Sequence, residues 1–230
     1  HDPTAPRWAF DWPGEGTAAV ADDGTVVLAG IDRSLHVLEH PRDPAEREPI
    51  VRAQFELPHE PYAISVIDGV FVVLSAIEAA PPDPLARIGR LHGRGLHRFA
   101  AGWRTEVRAF DRDLQVQWSV ELDFAALQPA IDGGSGRVVI AGRGLAGLEQ
   151  GVVRWRLATA QEALATAFVD GSLAVGVGAH LVIVDPDGRT AQTIAVPEAH
   201  TVVTPPAIGP DGSLAFGTDA HTYVVPGLDA

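Results

Sequence analysis

Residues 19–39 read AVADDGTVVLAGIDRSLHVLE. A small, apolar run ends in Asp-Gly, an aliphatic β-branched run follows, a polar break intervenes, and a second alternating run closes the stretch. Asp-Gly is the pair a tight hairpin turn asks for, because Gly takes positive φ freely and Asp can bond the turn backbone. The same unit recurs along the chain. Asp-Gly pairs stand at 23–24, 68–69, 132–133, 170–171 and 211–212, preceded by TAAVA, AISVI, QPAI, TAFV and PPAI. TVVLAG, VFVVLSA, RVVIAG, SLAVGVG and SLAFGTD follow them, and then LHVLE, EVRAF, LAGLE, LVIVD and TYVVP. Short strands with turn signals at regular spacing predict an all-β, antiparallel protein. No stretch keeps a helical period for more than a turn or two.

A fourth strand is marked by an anchor residue: Phe55 in QFEL, Trp118 in QWSVEL, Trp155 in RWRL and Ile194 in QTIAV. The last unit stops after its third strand, at HTYVV, whereas Trp8 in RWAFDW repeats the pattern of Trp118 and Trp155. The N-terminal segment is therefore expected to complete the last unit and close a ring, which leaves only short, protected sheet edges. The expected fold is a five-bladed β-propeller of four-stranded antiparallel blades. It is one domain over residues 1–230, with an insertion at 77–104 in the second blade.

Composition narrows the chemistry. The sequence holds no Cys, Met, Lys or Asn. That excludes disulfides, thiolate nucleophiles, cysteine zinc sites, Schiff-base lysines and the phosphate-loop lysine. A net charge of -13 disfavours nucleic acid, whose phosphates need a basic surface. No apolar run is long enough to span a bilayer as a helix. The sequence opens at His1 with no initiator Met and no signal-peptide pattern, which reads as a processed, periplasmic or secreted protein, with a cytoplasmic location as the alternative because the absence of Cys leaves the redox compartment open.

The stretches WAF at 8–10, AVADDGTVVLAG, SLHVLE, AIDGGSGRVVIAG (130–142) and GVVRWRL (151–157) resemble PQQ-like repeats of the quinoprotein-dehydrogenase-type propellers. The resemblance spans nearly the whole chain apart from residues 77–104. That family includes quinone-dependent dehydrogenases and also non-catalytic scaffolds similar to an outer-membrane-assembly lipoprotein. This chain lacks the vicinal cysteines and the calcium-holding Asn of the enzymes, so the resemblance implies the non-catalytic branch and no quinone cofactor.

Catalytic constellations are missing where a propeller enzyme would carry them. The innermost strands offer Thr17, Ala18, Ala63, Ser65, Gln128, Pro129, Thr166, Ala167, Pro205 and Pro206, none of them acidic. Glycoside cleavage needs a carboxylate pair. No G-x-S-x-G elbow or H-E-x-x-H helix occurs. Small side chains there fit strands that converge on an axis. The protein is expected not to be an enzyme.

Two features remain as candidate sites. His180 in GVGAH and His221 in GTDAH occupy equivalent loop positions in successive units, and His200 in PEAH lies in the loop between those units. Three imidazoles on one face make a zinc or copper site, with Glu198 as a further ligand or an orienting group. The plainer reading is a repeated turn sequence on a wet rim. Asp185 and Asp187 in VDPDG start like a calcium loop but lack its later Glu, so they read as a turn.

The second feature is residues 77–104, IEAAPPDPLARIGRLHGRGLHRFAAGWR. Loops of that length inside a compact domain are functional or disordered. Arg87, Arg90, Arg94 and Arg98 alternate with Leu91, Phe99 and Trp103 in a chain that is otherwise strongly acidic. Arg and aromatic anchors typify interface hot spots, which reads as an arm that docks a protein partner; the plainer reading is a loop folded back on an acidic rim. Glu15, Glu60, Asp123, Glu162 and Glu198 each precede a first strand, a pattern ordinary solvation also explains. The leading functional expectation is thus a non-catalytic interaction scaffold of a larger assembly. A metal-binding or redox-associated propeller is the alternative, and a carbohydrate-binding lectin is the weakest, since aromatics do not recur at matching loop positions and Asn is absent.

Overall fold

The structure is a computed structural model, and it describes residues 10, 15–41, 48–77, 103–167 and 170–226. These residues form five antiparallel sheets that follow one another along the chain. The first holds β1 (Gly16–Val20), β2 (Val26–Gly30), β3 (Ser34–Glu39) and β4 (Ile50–Glu56). The second holds β5 (Glu60–Ile67), β6 (Val70–Ile77), β7 (Arg104–Phe110) and β8 (Val116–Leu122). In the third are β9 (Ile131–Asp132), β10 (Arg137–Ala141), β11 (Leu145–Glu149) and β12 (Val152–Leu157). The fourth contains β13 (Ala163–Ala167), β14 (Leu173–Val177), β15 (His180–Val184) and β16 (Thr190–Ala195). Three strands make the fifth: β17 (Ala207–Ile208), β18 (Leu214–Gly217) and β19 (Thr222–Val225). The expected closing strand around Trp8 lies outside the described residues. Of that segment Phe10 is described, with its ring 6.1 Å from that of His36 on β3.

Each Asp-Gly unit does sit between the first and second strands of a sheet. Asp23, Asp170 and Asp211 accept a hydrogen bond from the backbone N–H two residues on, from Thr25, Ser172 and Ser213. The third turn differs: Asp132 accepts from Gly134, and Gly134 and Gly136 hold the positive φ angles while Gly133 does not. Asp185 in VDPDG accepts from the N–H groups of both Asp187 and Arg189, which makes that sequence a turn between β15 and β16.

The core lies between sheets. One apolar cluster joins the first and second sheets through Leu35, Val37, Phe71 and Phe110. A second joins the second and third through Leu74, Val107, Ile140 and Leu148, with Trp118 against it. Val139, Leu145, Val175 and Val184, with Trp155, join the third and fourth. Leu181, Val196, Leu214 and Phe216 join the fourth and fifth. Among the described residues no such cluster joins the fifth sheet back to the first. Burying both faces of a sheet explains the near-continuous apolar runs of the second strands.

First strands of neighbouring sheets lie side by side, β1 with β5, β5 with β9 and β9 with β13. Small polar side chains stitch them. Ser65 donates its hydroxyl to the carbonyl of Ala130 at 2.8 Å. Gln128 uses its whole amide on one residue of the next sheet: its NH2 donates to the Ala165 carbonyl at 2.7 Å, and its carbonyl accepts from the Ala165 N–H at 2.9 Å.

Candidate metal centre and the stem of the arm

His200 follows the last strand of the fourth sheet, in the tight turn at Pro197–Ala199. Glu198 and Ala199 both hold positive φ, at 57° and 56°, a conformation that costs a non-glycine residue about 1–2 kcal/mol. His221 precedes β19, in the hairpin between the second and third strands of the fifth sheet. The hairpin is fixed by Thr218, whose hydroxyl accepts from the N–H of His221 at 2.9 Å. The two loops are tied directly: Val202 and Thr218 form a bridge, and the Asp219 N–H donates to the Thr201 carbonyl at 3.0 Å.

This brings Glu198, His200 and His221 together, with one ligand atom of each within 4.8 Å of the others. The two imidazole rings stand perpendicular, their centroids 5.3 Å apart. The Nε2 atom of His200 is 3.2 Å from Glu198 Oε2, and its Nδ1 is 3.3 Å from Asp219 Oδ1. Asp219 is itself held by the Thr201 N–H, which it accepts at 3.1 Å. Glu198 and His221 are exposed, and His200 is half-buried.

His180 is not in this group. Its neighbour two residues on, Val182, packs toward the third sheet, while the matching Tyr223 beyond His221 packs toward the fourth. The two histidines do occupy equivalent positions, and for that reason each faces the sheet preceding its own. Equivalent residues of successive sheets open into different grooves. His180 lines a cavity of about 310 Å³ with Leu145, Leu157, Thr159, Val175 and Val182. Sequence reasoning missed Asp219; its signal is the carboxylate two residues before His221 in a hairpin that faces the PEAH loop.

The arm leaves and returns at one point. Ile77 at the end of β6 pairs with Arg104 at the start of β7, which forms a paired stem on either side of residues 78–103. Arg87, Arg90, Leu91, Arg94, Arg98 and Phe99 lie outside the described residues. Trp103 is described, half-buried, and shares a small cavity with Tyr62, Ala125 and Ala126. Arg104 beside it pairs with Glu121 on β8 at 3.1 Å.

Asp123, one of the acids before a first strand, is engaged by Arg156. No helix of the described residues is long and apolar enough to cross a membrane.

No protein-family model matches the sequence, and no curated protein matches it either. Solved structures do resemble it. BamB from Moraxella catarrhalis superposes with a TM-score of 0.59 at 16% identity, over 88% of this chain and 57% of that one. A protein of unknown function from Bacteroides caccae gives a TM-score of 0.51 at 11% identity, over 91% of this chain and 72% of the other. The chain therefore spans a little over half the length of the BamB it matches. At these identities the likeness concerns the fold alone, and that fold is the β-propeller.

Proposed function

We propose that this protein is a non-catalytic propeller scaffold, in which the blades hold rigid loops against a protein partner and residues 77–104 form the docking arm. The observation that carries the reading is the paired stem, Ile77 opposite Arg104, which lets the sheet present a long Arg- and aromatic-rich segment without interrupting its own hydrogen bonds. The structural likeness to BamB supports a propeller frame for such a role. In this reading the blades number five, the repeats are of the PQQ-like type, and the N-terminal segment supplies the fourth strand of the last blade. The assembly is periplasmic or otherwise exported.

The test replaces residues 78–102 by a short turn and compares the variant with the intact chain for melting temperature and for the size of the native complex it enters. Hairpin loops tolerate changes of length cheaply, so the fold should survive the deletion. Retained fold with lost assembly supports the docking arm. Unchanged assembly overturns it, and an unfolded variant makes the segment a structural cover instead.

A further inference from the structure

We propose that Glu198, His200 and His221 bind one divalent transition-metal ion of the zinc class, with Asp219 as the positioning residue for His200. The proposal stands independently of the scaffold reading.

The case begins with His200. Each of its ring nitrogens faces a carboxylate oxygen, Asp219 at 3.3 Å and Glu198 at 3.2 Å. A neutral imidazole has one N–H and can satisfy one of them. Asp219 is fixed by the Thr201 N–H and so is the natural acceptor for Nδ1–H. That tautomer aims the Nε2 lone pair at a carboxylate that also offers lone pairs. Without a metal the Nε2–Glu198 contact is a hydrogen bond that needs the proton on Nε2; with Nδ1–H turned to Asp219, a metal ion takes that proton's place between Nε2 and Glu198. His221 supports the ion, because it adds a second imidazole to the same few ångströms. A carboxylate bonded to the far nitrogen of a metal-binding imidazole is the usual way proteins set its tautomer and raise its basicity.

The ligand types fit the same answer. Two imidazoles and one carboxylate suit zinc, cobalt or copper, whereas calcium and magnesium prefer sets of oxygen alone. Bonds of about 2 Å in a tetrahedral site place ligand atoms roughly 3.3 Å from one another. The Glu198–His200 separation already matches this, and the remaining closure falls on the exposed side chains of Glu198 and His221. Three protein ligands leave a fourth position for water.

The experiment titrates the chelator-stripped full chain with Zn²⁺ by calorimetry and with Co²⁺ by visible absorption near neutral pH. The expected result is one ion per chain, a cobalt spectrum of low coordination number, a raised melting temperature and no competition by Ca²⁺ or Mg²⁺. Binding should weaken on acidification, since an imidazole gives up a proton to take the metal. His200→Ala and His221→Ala should each weaken binding at least ten-fold, on the order of the loss typical for a perturbed metal shell. Asp219→Asn should weaken it about 10- to 100-fold while keeping one ion per chain and the cobalt spectrum. His180→Ala should change nothing. If His200→Ala disturbs the fold, the exposed His221 decides alone. Absence of saturable binding, binding that survives both histidine replacements, or binding lost with His180 overturns the assignment.

Discussion

Trp155, in the fourth strand of the third sheet, lies against Gly188, the turn residue that leads into the fourth strand of the next. A Cβ on Gly188, whose φ is 83°, would stand 2.4 Å from Trp155 Cγ. The indole N–H donates to the Pro186 carbonyl in the same turn, at 3.1 Å. Trp118 repeats the arrangement one sheet earlier against Gly151, whose φ is 78° and whose Cβ would come within 2.6 Å of the Trp118 Cβ. In the second and third sheets the tryptophan of the fourth strand thus seats under the hairpin of the following sheet, and a bare glycine is what makes room for it.

From this follows the first prediction. Gly188→Ala combines a left-handed backbone, worth about 1–2 kcal/mol against an L-residue, with a clash against the indole. Trp155→Ala removes a half-buried aromatic and should cost about 2–3 kcal/mol, below the range for a fully buried one. The pair should be strongly non-additive, because both changes act on one contact. Denaturant unfolding of the two single variants and the double variant measures this; additive losses would show that the two residues do not share an interface.

Gln128 gives a second. Its amide pairs with both backbone groups of Ala165, standing in for a strand neighbour between two first strands. Gln128→Ala leaves those groups without a protein partner, and each orphaned group costs about 1–3 kcal/mol. Gln128→Glu is the sharper variant: it keeps the acceptor for the Ala165 N–H but sets a carboxylate oxygen against the Ala165 carbonyl. Glu should therefore be no better than Ala near neutral pH and should recover at acid pH, when the protonated carboxyl can donate again. Thermal melts of both variants across pH check the ordering.

The third prediction concerns acid stability. Burial holds the pKa of His36 below its ordinary value of 6.5, with nearby Asp32 opposing the shift. The unfolded chain then binds its proton before the folded chain does. Stability is complete above about pH 6.5 and falls as pH drops below it toward the folded value. His36→Gln should flatten that part of the melting curve against pH. A further loss comes lower down, where Asp23, Asp32 and Asp211 titrate. Bonds from the turn residues Thr25, Ser34 and Ser213 hold their carboxyls below the usual 3.8, so their contribution is present above that value and disappears as pH falls through the folded pKa. A His36→Gln variant with an unchanged profile between pH 7 and 5 would remove His36 as the source.

Much of the architecture was legible because the repeat is written in turn chemistry. The Asp carboxylate bonds the turn backbone in four of the five first hairpins, and the Asp-Gly glycine holds a positive φ in four, at Gly24, Gly69, Gly171 and Gly212. The register detail was not legible. All four pairings of third with fourth strand slip by one residue, at Val37/Leu38, Ala109/Phe110, Gly147/Leu148 and Ile183/Val184. Such bulges raise the local twist and belong to the backbone, so no residue type announces them. The histidine set shows the other limit. Repetition correctly aligned His180 with His221, but alignment in a repeat places residues one sheet apart, and it is the loop residue His200 that meets His221.

The last prediction tests ring closure. In each of the first four sheets the third strand has a fourth beside it, whereas β19 has none among the described residues, and Val224 is 68% exposed. Residues 8–10, Trp-Ala-Phe, repeat the pattern of Trp118-Ser-Val120. Phe10 stands near His36 on β3. The comparable Val120 packs in the cluster that holds Ala146, which occupies the place of His36 in the third sheet. If residues 8–12 are the missing fourth strand, deleting residues 1–12 strips both a ladder of hydrogen bonds from β19 and the anchor between the last sheet and the first. The exposed edge would then invite association with other chains. The expected outcome is a lower melting temperature, with concentration-dependent aggregation by light scattering. Trp8→Ala should reproduce part of the loss without removing the strand, because the anchor and the ladder are separate contributions. A truncated chain that stays monomeric and melts cooperatively at the original temperature would mean that the N-terminal segment closes nothing.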